Sequence, residues 1–251
     1  MSKKTTHTTN QLPGRAKAMS WFAGSVLIAG LAVLAGFYME QNTRVTGVEF
    51  SGNYFTTENE LLEQIGSPVG LMADSVDYTR LIGSLQALPY VERAEVNMGM
   101  RGRLSFTISE REPIALLVNE SDRIYVAEGG IKLPMIPEKT PDVPLVYGFP
   151  VKPAADTLSG TAYQQTEDFL LEAKKNRFGW ITISEVGWDD REGVVALSSE
   201  NGVKLIFGQN DFAKKINHWE TFYSEIITQK GIEAFQSIDL RFRGQIVTRE
   251  S

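Results

Sequence analysis

Residues 18–39 run for 22 positions without one charged side chain. No other feature limits this chain so strongly. A helix of that length rises ~33 Å, enough to cross the ~30 Å hydrocarbon core of a bilayer. Trp21 and Phe22 stand at one end of the run and Phe37 and Tyr38 at the other, where aromatic rings suit the two membrane interfaces. Lys3, Lys4, Arg15 and Lys17 precede it and Glu40 follows it. Basic flanks stay on the cytoplasmic side. The pattern therefore predicts a cytoplasmic tail over 1–17, a membrane helix over 18–39 and an exported remainder. A cleaved signal peptide is the rival, with Val33-Leu34-Ala35 as its cleavage site. The run is longer than a usual signal-peptide core and aromatic at both ends, which favours a retained anchor.

Charge is divided the same way. Residues 1–17 carry four basic side chains and no acid. The remainder holds 21 basic and 31 acidic residues, a net of -10. An acidic exported part has no general attraction for polyphosphate, so nucleic-acid binding is not expected. The apolar fraction of 42% suits a globular chain. There is no cysteine, which excludes disulfides, thiolate metal sites and a cysteine nucleophile.

The first exported module spans 43–113. Val45, Val48 and Phe50 mark a short strand, ended by a turn at Gly52-Asn53. Thr57-Glu-Asn-Glu60 matches a capping box, in which hydroxyl and carboxylate each satisfy a free helical N–H. Asp77 opens a second helix whose Tyr78, Leu81, Ile82 and Leu85 fall on one face. Pro89 stops it. A strand at Val91–Met98, a turn at Arg101-Gly102 and the alternation Leu104, Phe106, Ile108 complete a β-α-α-β-β order.

The second module spans 114–250. Strands are predicted at 114–118, 124–126 and 131–133, a helix at 161–175, and a meander at 181–188, 194–198 and 203–207. Asn201-Gly202 is a type I′ hairpin signal. The proline-crowded stretch from Pro134 to Pro153 is expected to be an extended crossing. Asp211 is expected to cap a helix bearing Phe212, Ile216, Trp219 and Tyr223. Strands at 237–242 and 245–249 end the chain, with Gly244 turning between them. The fold class is thus α+β: an N-terminal transmembrane helix, a β-α-α-β-β module, and a mostly antiparallel β domain with two helices.

Three runs carry a resemblance in the first module: Val48-Glu-Phe50-Ser-Gly52-Asn53, Leu88-Pro89-Tyr-Val91-Glu-Arg-Ala94-Glu-Val96 and Glu110-Arg111-Glu-Pro113-Ile-Ala115. Together, behind a single anchor, they resemble a POTRA domain, and more narrowly that of the FtsQ/DivIB cell-division family. In the second module, Val203-Lys-Leu-Ile-Phe-Gly208, the helix from Asp211, and Ile238-Asp239-Leu240-Arg241-Phe242 followed by Gln245-Ile246-Val247 are similar to that family's β domain. The resemblance covers about 19–249.

That resemblance implies a non-catalytic scaffold of the division machinery, held in the inner membrane at the septum with its bulk in the periplasm. It implies that the last strand pairs with a strand of an FtsB-like protein, which is held together with an FtsL-like protein. This is β-augmentation, in which backbone groups supply affinity and alternate side chains specificity. Carried over by position, Gln245, Ile246, Val247 and Thr248 offer the edge, Arg241 pairs with a partner carboxylate and Phe242 anchors the contact. Where some members end the strand in Trp, this chain has Arg249. Other division proteins are expected on the POTRA domain. The alternative is a POTRA-containing accessory of secretion or outer-membrane assembly.

For an enzyme, Glu110 and Glu112 would be the carboxylate pair. Beside Arg111 and Pro113 they read instead as a solvated strand edge. His7 lies in the tail and His218 beside Trp219. There is no Ser/His/Asp set, metal-ligand spacing or phosphate loop, so neither catalytic residues nor a cofactor is expected.

Overall fold

The computed structural model describes residues 21–22, 24–34, 43–119, 122–150 and 156–251. Residues 21–22 and 24–34 are helical (α1, residues 24–34), and the side chains described there are exposed. Among the described residues no helix is long and apolar enough to cross a membrane. The tail 1–17 and the rest of the 18–39 run lie outside the described residues.

The first module has the predicted order: β1 (Gly47–Ser51), α2 (Glu58–Ile65), α3 (Tyr78–Gln86), β2 (Val91–Met98) and β3 (Arg103–Glu110). Thr57 and Glu60 form the complete capping box on α2, and Asp77 accepts the Arg80 N–H to start α3. The sheet order is β1-β3-β2, with β1 parallel and β2 antiparallel to β3. The period-2 residues Leu104, Phe106 and Ile108 are buried, and Leu61 and Leu85 close over them from the helices.

The second module contains β4 (Pro113–Val118), β5 (Arg123–Ala127), β6 (Ile131–Leu133), β7 (Leu145–Tyr147), α4 (Thr161–Lys175), α5 (Arg177–Thr182), β8 (Ile183–Asp189), β9 (Gly193–Ser198), β10 (Lys204–Gly208), α6 (Phe212–Phe222), β11 (Phe235–Asp239) and β12 (Val247–Glu250). Among the described residues these strands form one sheet in the order β12-β11-β10-β9-β8-β7-β4-β5-β6. Five of its eight pairings are antiparallel. Helices α4, α5 and α6 are buried against it around Phe169, Phe207 and Trp219, and the Trp219 Nε1–H donates to Thr182 Oγ1 at 3.0 Å.

Five expectations need correction. The proline-rich crossing contributes β7, parallel to both β4 and β8, and so joins two half-sheets that would otherwise end there. The two predicted helices are accompanied by a third, α5, which takes up the first residues of the predicted strand at 181–188. Its start is set by the Asn176 side chain, which accepts the Gly179 N–H. Asp211 precedes α6 with φ 54° and makes no side-chain cap. The last two strands are Phe235–Asp239 and Val247–Glu250, not 237–242 and 245–249, because the Asp239 carboxylate accepts the Arg241 N–H and ends the ladder at Asp239.

Glu110 is not a solvated edge either. Its Oε2 accepts the N–H groups of Tyr54 and Phe55, each at 2.6 Å, and its Oε1 the N–H of Thr56 at 2.7 Å and the Thr56 hydroxyl. This nest of successive amides lies beside the seam between the modules. The Phe55 and Tyr90 rings stack at 4.5 Å and pack with Tyr125, Ala127 and Leu133 of the second sheet. The Tyr90 hydroxyl donates to the Pro134 carbonyl across the seam at 2.7 Å. Burial, with Tyr125 and Glu110 nearby, pushes that hydroxyl up to about 12, so it stays a neutral donor. Glu112 pairs with Lys174 at 2.8 Å.

Candidate protein-binding edge

A sheet offers a partner chain only an unpaired edge. The two ends of the large sheet differ. Along β6, residues 156–158 cover the outer side: Lys132 N–H donates to the Asp156 carbonyl at 3.0 Å and Leu158 N–H to the Gly130 carbonyl at 2.8 Å. β12 has no neighbour beyond it among the described residues.

The ladder dictates which amides of β12 face outward. Leu240 N–H donates to the Ile206 carbonyl, toward β10. Backbone groups alternate sides along a strand, so Ile238 also faces β10, while Ser237 and Asp239 face β12. Their register partners are Arg249 and Val247, which therefore spend their amides on β11. Ser251 agrees in parity, donating to the Ala234 carbonyl. Thr248 and Glu250 are left to present N–H and C=O outward.

Around this edge the sequence-derived residues separate. Val247 and Thr248 lie in β12, whereas Gln245 and Ile246 lead into it. Phe242 and Val247 are exposed, at 45% and 46%. Arg241 is committed within the chain: its Nε lies 2.9 Å and its Nη2 2.6 Å from the Asp239 carboxylate oxygens. Its stem passes Gly208, where φ is 79° and a β-carbon would stand 3.0 Å from Arg241 Cγ. Gly208 is thus needed both for the turn and for the close approach. The Arg241 guanidinium also lies 5.9 Å from the Phe242 ring.

Beside the edge runs a groove of about 450 Å³, walled by His218, Phe222 and Ile226 on one side and by Gly244, Gln245 and Ile246 on the other. No local pattern announces this groove, because its walls come from separate helix and hairpin positions. The Asp239 tether was readable in principle, since residues i and i+2 share one side of a strand. No group of three or more acids and histidines suited to a metal occurs among the described residues.

Burial pushes the Asp239 carboxyl up, but hydrogen bonds and charge from Arg241, aided by Lys215, overcome it and hold the group below its ordinary value. A depressed carboxylate contributes stability above its unfolded value of about 3.9 and loses it as pH falls through the folded value. Hydrogen exchange in the β11–β12 hairpin, corrected for intrinsic rates, should therefore keep its protection from pH 7 to pH 5 and lose it below pH 4. Asp239→Asn should flatten that dependence. Unchanged acid sensitivity in the variant would move the cause to another carboxylate.

Two family models match the chain. One described as "FtsQ/DivIB, C-terminal related" matches residues 112–249, and one described as "POTRA domain, FtsQ-type" matches residues 43–111. Among curated proteins, the cell division protein FtsQ of Rhodothermus marinus is 24% identical over 271 residues, spanning 100% of this chain and 95% of that one. FtsQ of Salinibacter ruber is 26% identical, over 90% of this chain and 92% of that one. FtsQ of Geobacter sp. strain M21 is 25% identical, over 91% and 86%. A solved extracytoplasmic domain of the division protein DivIB from Geobacillus stearothermophilus aligns with 48% of this chain and 97% of its own, at 20% identity and a TM-score of 0.33.

Proposed function

The chain belongs to the FtsQ/DivIB family of cell-division proteins, and we propose that it serves the division machinery as a membrane-tethered scaffold whose last strand captures a strand of an FtsB-like partner. It is a cell-division protein and not an enzyme. The reading divides it into a cytoplasmic tail (1–17), an anchor (18–39), a POTRA domain (43–113) and a β domain (114–250). It places the bulk of the chain in the periplasm at the septum. The anchor is supported by the uncharged run and by the exposed large apolar side chains on it, Trp21, Leu27, Ile28 and Leu34 among them. Contiguous apolar surface of that kind needs a cover.

The observation that carries the partner reading is the open edge of β12, with outward backbone groups at Thr248 and Glu250. An incoming strand gains main-chain hydrogen bonds there. Val247 and Phe242 offer it apolar contact, and Gln245 and Ile246 extend the platform. Arg241, held by Asp239, fixes the turn that presents Phe242, and in this reading its outer face meets a partner carboxylate. The groove against α6 receives the partner residues next to the captured strand. An FtsL-like protein joins through the same partner, and other division proteins dock on the POTRA domain.

Hydrogen exchange on the full chain with the soluble parts of the FtsB-like and FtsL-like proteins tests this. Protection should appear at the Thr248 and Glu250 amides. Protection confined to residues 43–113 would overturn the strand-capture reading.

A further inference from the structure

The corner of the POTRA domain where the chain enters it is built from three segments. Val45 N–H donates to the Leu71 carbonyl and Ala73 N–H to the Thr43 carbonyl, at 2.9 and 2.8 Å. Thr46 N–H donates to the Gly102 carbonyl and Thr46 Oγ1–H to the Arg101 carbonyl, at 2.9 and 2.8 Å. Gly102 sits so close that a β-carbon would run into the Arg44 carbonyl. Residues 43–46, 70–73 and 101–102 are therefore tied together by hydrogen bonds. The corner borders an open hollow of about 1190 Å³ lined by Thr43, Thr46, Asp74, Tyr78, Arg101 and Arg103.

Two properties coincide at this corner. Val69 and Leu71 are large apolar side chains left 49% and 51% exposed on one short loop. Arg44, whose Nη1 donates to the Gly70 carbonyl between them at 2.8 Å, is exposed, as are Arg101 and Arg103 on the segment that Thr46 holds, in a region of the chain that is otherwise acidic. Asp74 also lines the hollow, and Glu49 pairs with Arg103 at 3.3 Å. Chain length fixes where the corner can be. Only three residues, 40–42, lie between Met39, the end of the uncharged run, and Thr43, and the four Cα steps span at most about 14 Å.

We propose that this corner is a membrane-docking surface: Arg44, Arg101 and Arg103 take the phosphates of anionic phospholipid headgroups while Val69 and Leu71 enter the interface between them. The inference rests on reading 18–39 as a membrane anchor. Guanidinium suits phosphate because its donors form a planar fork. A docked corner would fix the POTRA domain against the bilayer, and the buried seam around Phe55 and Tyr90 would pass that orientation to the β12 edge.

The chain has no cysteine, so Val69→Cys takes a single environment-sensitive fluorophore in the full chain, incorporated in nanodiscs. Ile181→Cys, on the second module, is the control. In discs containing phosphatidylglycerol the label at 69 should report an apolar environment and the label at 181 water. Each of Arg101→Gln and Arg103→Gln should lower the docked-to-free ratio about fivefold, with the circular dichroism spectrum unchanged. Phosphatidylcholine discs or high salt should act in the same direction. A wetted label at 69 in anionic discs overturns the docking and leaves the anchor standing. A signal indifferent to lipid charge and to both substitutions overturns the headgroup contact. A chain that does not enter the discs overturns the anchor reading, and this proposal with it.

Discussion

Thr248→Pro should weaken capture of an FtsB-like strand at least ~100-fold while leaving the β domain folded. Thr248 turns its N–H away from β11, toward the open edge, so a proline there removes a donor that the fold does not use. Proline is tolerated in edge strands in that orientation. An incoming strand, however, loses one hydrogen bond, meets the pyrrolidine ring and forfeits neighbouring bonds that depend on the same register. Losses of about 3 kcal/mol correspond to about 100-fold in affinity. Val247→Pro is the matched opposite, since Val247 spends its amide on β11 opposite Asp239. It should unravel the hairpin and lower the melting temperature along with binding. Titration calorimetry paired with thermal circular dichroism separates the two. A folded Thr248→Pro chain that binds within threefold of the original would place the interface elsewhere.

Removing the Glu110 carboxylate should cost the first module about 3 kcal/mol, the largest stability loss expected of any single charged residue described. Four donors converge on it, three of them the successive amides of residues 54–56. Hydrogen bonds to a charged acceptor contribute about 1.5–3 kcal/mol each when sheltered, but Tyr54 is exposed, so the sum is well below four full bonds. Glu110→Ala leaves the amides without an acceptor and should lower the melting temperature of the first module by about 15 °C. Glu110→Gln keeps one carbonyl acceptor and should fall between. Because Phe55 stacks on Tyr90 at the seam, the loss should also loosen the two modules, visible as faster exchange of amides around Leu133. A melting temperature within 2 °C of the original in Glu110→Ala would mean that water replaces the carboxylate at little cost.

How much of the fold and the edge was legible beforehand depends on the distance along the chain between cause and effect. The capping box at Thr57, the cap at Asp77, the face of α3 and the turns at Arg101-Gly102 and Asn201-Gly202 are each written within a few residues. Arg101, Asn201 and both following glycines do take positive φ. The boundaries of β11 and β12 differ from the expected ones by one to three residues, and at the end of β11 a side-chain tether, Asp239 to Arg241, outweighs strand propensity. The strand β7 went unseen because three residues between prolines carry no period of their own. Its neighbours in β4 and β8 make it a strand.

Local periodicity and turn chemistry were enough for the β-α-α-β-β order of the first module, the apolar faces and the uncharged run, and the short motifs carried a resemblance to the family whose models match the chain. The folded chain was needed to show that β12 rather than β6 is the open edge, that Thr248 and not Val247 offers its amide, that Arg241 is held by Asp239, and that Glu110 locks residues 54–56. Each of these depends on which backbone group meets which across long stretches of chain. Sheet order and register fix that pairing, and no local pattern encodes it.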